Sequence, residues 1–203
     1  MNRSDVILRP LSPADRSAYL SLYGEAFPPA ERKAMTFMTE GPLSPAYDVL
    51  VIETPICPVS GMVILVRHGD LILLDYFAVS PALRGMGIGR AALPLIRDFC
   101  RERHPGLHLF LEIEVPAKDC PNPVQRVRRK AFYLSCGLTE TGIRAHVYGS
   151  EMELLAYPED APCVTLSGYA GLLEAVFPAD MVPFDLVPAA PDKEIPVCRE
   201  KNS

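Results

Sequence analysis

The sequence predicts an α/β fold, with a central sheet of about seven strands flanked by helices. Three observations carry this expectation. Runs of strand formers recur through residue 157, among them YDVLVIE (47–53), MVILVR (62–67), LILLDYFAV (71–79) and LHLFLEIEV (107–115). Between them lie segments whose apolar residues return every three or four positions, the mark of a helix with one buried face. One strand, 71–79, runs through Ser80-Pro81 into the glycine-rich stretch RGMGIGR (84–90) and a helix-like segment beyond it.

Composition narrows the class. With 203 residues, the chain is long enough for one domain with a sizeable core plus an appendage. Half the residues are apolar, which places it among globular chains, and a net charge of −5 argues against nucleic acid as the main partner. No apolar run approaches the ~18 residues of a membrane span, and MNRSDVILRP lacks a signal-peptide apolar region. The expectation is a soluble, cytoplasmic protein. The cysteines at 57, 100, 120, 136, 163 and 198 form no CxxC pair, so neither a zinc site nor a disulfide framework is expected, and no metal.

In chain order, Asp5 to Leu11 reads as a first strand, and Ser12 as the N-cap of a helix burying Tyr19, Leu22, Tyr23 and Ala26. Phe27-Pro28-Pro29 ends it. Residues 30–44 are weakly helical; Met35, Phe37 and Met38 are either core packing or one wall of a substrate site. The strands 47–53 and 62–67 are joined by TPICPVSG, longer than a tight hairpin, which leaves their register open. His68-Gly69-Asp70 turns the chain into 71–79, whose one charged residue, Asp75, either faces solvent by alternation or has a role.

The loop that follows is built for an anion. A helix N-terminus presents unpaired N–H groups and partial positive charge, and Gly85, Gly87 and Gly89 admit positive φ and close approach by a ligand. Arg84 and Arg90 add full charges at either end. The spacing GxGxG is neither the GxGxxG of a dinucleotide fold nor a P-loop. Arg84-Gly85-Met86-Gly87-Ile88-Gly89 instead resembles the [RQ]-x-x-G-x-[GA] signature of the GNAT acyltransferase superfamily, with Ala78-Val79-Ser80-Pro81 as its usual lead-in. The resemblance implies a mixed, mostly antiparallel sheet, acetyl-CoA as cosubstrate, and a loop that cradles its pyrophosphate through Arg84, Gly85, Met86, Gly87, Ile88, Gly89 and Arg90. It also implies that the backbone of Phe77, Ala78 and Val79 pairs with pantetheine and polarises the thioester carbonyl.

The helix after the loop shows Ala91, Leu95 and Phe99 at four-residue spacing, with Leu93 and Ile96 beside them; Pro94 is expected to kink it. In 107–115, alternation puts His108, Phe110, Glu112 and Glu114 on one face. Glu112 and Glu114 are either a solvated, ion-paired face or general bases for an amine, with Glu114 preferred because it lies nearer the strand's C-terminal end.

A further helix is expected over 124–136, with Val127, Ala131 and Leu134 as its apolar stripe and Arg126, Arg129, Lys130 and Tyr133 opposite. The basic run Arg126, Arg128, Arg129 and Lys130 is either solvated or a helper for CoA phosphates. AFYLSCGL (131–138) resembles the second GNAT motif, A-x-x-F-Y-x-x-x-G-[FL], one residue short before the aromatics. That resemblance gives Tyr133 the role of acid to the departing CoA thiolate; the alternative is a core tyrosine with a satisfied hydroxyl. Residues 139–147 and 151–157 form two last strands, with His146 and Tyr148 near the acceptor side in the resembled family.

The expected division is a GNAT-like domain over 1–157 and an extension over 158–203. The extension holds one amphipathic helix over 165–177 (Tyr169, Leu172, Leu173, Val176) and an extended Pro-rich tail. Whether the helix packs on the domain, covers the sheet or serves a homodimer stays open. The expected activity is acetyl transfer from acetyl-CoA to a small-molecule or peptide primary amine, by direct attack in a ternary complex. Glu112, Glu114 and Asp75 would favour a cationic acceptor. A non-catalytic CoA sensor is the alternative.

Overall fold

The computed structural model describes residues 2–117, 120, 122–147, 149–176 and, for the backbone alone, 184–185. Tyr148 and the remainder of the expected tail lie outside the described residues. The chain forms two compact units, one of residues 1–67 and 74–107, the other of 68–73 and 108–203.

The first unit contains β1 (Ile7–Pro10), α1 (Arg16–Ala26), α2 (Met35–Thr39), β2 (Tyr47–Thr54), β3 (Cys57–His68), the greater part of β4 (Leu71–Val79) and α3 (Ile88–Arg103). Its strands run in the order β1-β2-β3-β4. Both β1 and β3 pair antiparallel with β2. The whole run Met62–Val66 of β3 is fully buried, so both faces of the sheet are covered there, which is why the sequence shows no alternation. The expected long link between β2 and β3 is in fact a tight turn. Thr54 pairs with Cys57, leaving two turn residues, Pro55 and Ile56, and a register shift at Ile52–Thr54. The buried hydroxyls of Thr54 and Ser60 bond each other at 2.7 Å, which satisfies the polar residues that made this stretch read as loop.

Gly61 is needed for close packing of strands: an added Cβ there would lie 2.6 Å from the Ala78 carbonyl oxygen of β4. Helix α3 runs through Pro94 without interruption. Its buried face is Ile88, Ala91, Ala92, Leu93, Ile96 and Cys100, one position round from the expected stripe, so that Leu95 and Phe99 are only half-buried.

The second unit contains the first residues of β4, then β5 (His108–Glu114), α4 (Pro123–Ser135), β6 (Thr139–Val147), β7 (Ser150–Ala156), α5 (Leu166–Val176) and the short β8 (Phe184–Asp185). Strand β5 runs parallel to β4 over Leu71–Leu73 and His108–Phe110, after which β4 continues to Val79 and β5 to Glu114. All other recorded pairings in this unit, β5 with β7 and β6 with β7 and β8, are antiparallel. One parallel pair in an otherwise antiparallel sheet is the expected mixed architecture, with β8 as an addition from the C-terminal extension.

Helix α4 overturns its sequence reading. The buried residues are Arg126 and Tyr133, while Val124, Val127 and Leu134 are 61%, 55% and 39% exposed. The apolar stripe faces outward, because the other side of α4 carries the cations that pair with Glu114, Glu140 and Glu153.

Candidate active site

In the first unit the chain leaves β4 through a single helical turn, Pro81–Leu83, and reaches the loop. Gly85 and Gly87 both sit at φ +82°, where a side chain would be strained, and Gly87 is the N-cap of α3. Gly89 differs from expectation. It lies in the first turn of α3 and outside the positive-φ set, so backbone handedness is not what places a glycine there. No side chain caps α3. Its first N–H groups therefore await an acceptor from outside the helix, which suits a pyrophosphate.

The end of β4 has a definite polarity. Ser80 N–H donates to Ser60 C=O at 2.9 Å, and the Ala78 carbonyl points at Gly61. By strand alternation, Phe77 and Val79 direct their peptide groups away from β3. The Val79 carbonyl accepts from Arg84 Nε at 3.3 Å, which ties the loop to the strand. The Asp75 side chain is 6% exposed rather than solvent-facing. Its carboxylate takes the Lys33 ammonium at 2.6 Å, and that lysine is 3% exposed and lies near the Tyr47 and Tyr76 rings. Tyr76 accepts the Lys33 backbone N–H and donates to Glu31 C=O, while Tyr23 donates to Lys33 C=O. Nothing in the sequence pattern linked Lys33 to Asp75, 42 residues apart.

Met35 and Met38 are core residues, and Phe37 meets the Tyr47 ring edge-on. A hollow of about 420 Å³ is lined by Leu11, Arg16, Met38 and Tyr47, among others; of the residues expected near a site it touches Met38 alone.

In the second unit, the even-numbered face of β5 is fully partnered. His108 bonds Asp160, Phe110 packs under Tyr169, and Glu112 accepts the Tyr169 hydroxyl. Glu114 takes Arg126 on one oxygen and Arg129 on the other. Arg126 also donates to Val115 C=O at 3.3 Å. Lys130 bridges Glu153 and Glu140 at 2.7 and 2.6 Å. Burial pulls its ammonium down, but the two carboxylates outweigh it and hold the pKa above the usual lysine value. The basic run of α4 is thus mostly an internal ion-pair set, with Arg128 its member that has no ion pair among the described residues.

Tyr133 is 8% exposed, and burial, partly offset by Arg129, pushes its hydroxyl up to about 12. Among the described residues that hydroxyl has no hydrogen-bond partner. Asn122, at φ +53°, caps α4 in the left-handed conformation that asparagine tolerates, and Pro123 opens the helix. Tyr169, read from the sequence only as part of an apolar helix stripe, donates to Glu112. Its helix was legible from periodicity, but its reach to Glu112 depends on tertiary packing.

Residues 18–120 match the model of the acetyltransferase (GNAT) family. The chain belongs to that family. Its GNAT fold is shared with a GNAT-family protein from Bacteroides thetaiotaomicron (21% identity, TM-score 0.57, covering 74% of this chain and 86% of that one). It is shared too with spermidine N-acetyltransferase from Vibrio cholerae, solved with CoA and spermine (16% identity, TM-score 0.58, covering 78% and 98%). No curated protein matches the chain. As a GNAT acetyltransferase it belongs to a group that uses acetyl-CoA, and the uncapped helix with two positive-φ glycines before it fits the pyrophosphate of that cosubstrate. Among the described residues, no group of three His, Cys, Asp or Glu side chains could hold a metal, and no helix is long and apolar enough to cross a membrane.

Proposed function

We propose that the protein transfers the acetyl group of acetyl-CoA to a primary amine by direct attack in a ternary complex. The observation that carries this reading is the loop: Gly85 and Gly87 in the left-handed region, leading into an α3 N-terminus that no side chain caps. Residues 84–90 hold the pyrophosphate, and Phe77 and Val79 supply the outward peptide groups that pair with pantetheine. Ala78, whose carbonyl faces β3, serves by holding that strand end in place.

The amine nitrogen attacks the thioester carbonyl carbon, the C–S bond breaks, and the amine's proton goes to a carboxylate directly or through a water. Both Glu114 oxygens are committed to guanidinium groups. Glu112, on the same face of β5 and hydrogen-bonded to the Tyr169 hydroxyl, is the other carboxylate proposed as base. Glu114 instead orders α4 through Arg126 and Arg129.

Tyr133 donates to the departing thiolate. At about 12, its hydroxyl stays protonated at neutral pH, yet full transfer to a thiolate of pKa ~8.5 is uphill by roughly 5 kcal/mol. The favoured form is a donated hydrogen bond, with the proton passing on only as the hydroxyl is refilled.

The fold likeness to a spermidine N-acetyltransferase supports a small amine as acceptor. Charge adds little: Asp75 and Glu114 are neutralised by Lys33, Arg126 and Arg129, so a cationic acceptor gains less from them than the sequence implied. The test is calorimetric titration with acetyl-CoA, for the native chain and Gly87→Glu, followed by a panel of spermidine, phenethylamine and a lysine peptide. Saturable binding lost in the variant, with turnover on an amine and no acetyl adduct by intact mass, is expected. Binding without turnover on any amine would replace the enzyme by a CoA sensor, and an adduct on the protein would replace direct attack.

A further inference from the structure

Two adjacent cations of the first unit, Arg32 and Lys33, meet opposite fates. The Lys33 ammonium is neutralised by Asp75 at 2.6 Å. Arg32 is half-buried, and its Nε is shielded from solvent with no acceptor among the described residues. Its guanidinium makes no ion pair among them either. It acts on the Tyr23 hydroxyl, which burial pushes up to about 12 and which the Arg32 charge pulls partly back. A buried N–H without an acceptor forfeits a hydrogen bond it had in water, and an unbalanced cation adds to that cost. Such a group points to an anion as its partner.

The chain around Arg32 is clamped on both sides. The Tyr76 hydroxyl accepts the Lys33 N–H at 3.1 Å and donates to Glu31 C=O at 2.7 Å. The Tyr23 hydroxyl donates to Lys33 C=O at 3.1 Å. The residues flanking Arg32 are thus held to the β4 residue immediately before Phe77, whose peptide group is the one proposed to pair with pantetheine. The rings of Tyr23, Phe27 and Tyr76 pack together, with centroids 4.9, 5.0 and 5.7 Å apart, and stiffen this corner. The guanidinium itself lies over Gly24 of α1, where an added Cβ would come within 3.2 Å of Nη1.

We infer that Arg32 selects the acceptor by pairing with a carboxylate on the substrate amine, so that the acceptor class is amino acids. One unbalanced cation suits one negative charge. A carboxylate supplies that charge, and its two oxygens match the guanidinium fork. A phosphomonoester would bring nearly two charges, with Lys33 already spent on Asp75. This rests on the reading of the β4 end as the acetyl site.

The experiment uses the full chain and pairs of amines that differ by a carboxylate: phenylalanine with phenethylamine, and 4-aminobutanoate with propylamine. Acetyl transfer is measured for the native protein, Arg32→Met, Arg32→Lys and Gly24→Leu, with acetyl-CoA affinity and thermal unfolding alongside. In at least one pair the native kcat/KM is expected to be about 10–100-fold higher for the carboxylate-bearing member. Arg32→Met keeps an apolar stem and should erase that preference, chiefly through KM, leaving the carboxylate-free amine and acetyl-CoA affinity within about two-fold of native. Arg32→Lys keeps the charge without the fork and should fall between. Gly24→Leu improves helix propensity while displacing the guanidinium, so it should weaken the preference without lowering the unfolding temperature.

Equal or faster turnover of the carboxylate-free member in both pairs would overturn the inference and leave acetyl transfer standing. So would a preference that survives Arg32→Met, or a loss in that variant shared equally by both members of a pair, which would make Arg32 a packing residue. Absence of turnover on every amine would sink the acetyl-transfer reading and the inference with it.

Discussion

Helices α3 and α4 both read as amphipathic, yet they bury opposite kinds of face. Helix α3 turns Ile88, Ala92, Ile96 and Cys100 inward, as periodicity demands. Helix α4 turns Arg126 and Tyr133 inward and leaves Val124, Val127 and Leu134 exposed. The difference lies in what each helix meets. The strands of the first unit are apolar through Met62–Val66, whereas β5 and β7 present Glu114 and Glu153. Exposing a valine forgoes roughly 2 kcal/mol of burial. A buried carboxylate left without its cation costs ~3–5 kcal/mol. With Glu153 only 4% exposed, the ion pairs decide the rotation of α4. An apolar stripe on a helix shows that two faces exist, not which of them is inside.

Substitutions test that contrast. The largest effect is expected on α4's inward face: Tyr133→Phe should lower kcat by ~10²–10⁴ while unfolding at nearly the native temperature, because only an unpartnered hydroxyl is lost. Steady-state rates with a circular-dichroism melt check it, and native kcat would make Tyr133 a core residue. Next comes α3, where Ile96→Ala removes a fully buried side chain and should cost ~2–4 kcal/mol in urea unfolding. Arg126→Met should cost about 2 kcal/mol, and much of that should return in the Arg126→Met, Glu114→Gln double variant, since the loss is that of an uncompensated carboxylate. The smallest effect belongs to Val127→Ser, expected within ~0.5 kcal/mol of native. If Val127→Ser cost more than Arg126→Met, the two faces of α4 would have to be exchanged.

Legibility followed the range of the interactions. The loop was readable because its constraints are local: Gly85 and Gly87 sit at positive φ, and the helix begins at the next residue. Gly89 matched the pattern but lies inside the helix, a reminder that a motif position need not have the backbone reason first given for it. The β2–β3 turn was misread because Pro58, Ser60 and Gly61 look like loop residues singly. They belong to a strand because Thr54 bonds Ser60 and because β4 packs against Gly61. The partners of Asp75 and Glu112 are 42 and 57 residues away, and no periodicity carries such information.

The chain by itself determined its strands, most of its helices, the glycine loop and the family motifs, all of which depend on torsional preference and on apolar spacing over a few residues. Tertiary structure decided which face of α4 is buried, that both oxygens of Glu114 pair with arginine, and that α5 donates to β5. Those outcomes turn on electrostatic pairing and close packing between distant segments. Such terms exist only once the strands have brought distant carboxylates within reach of the helices.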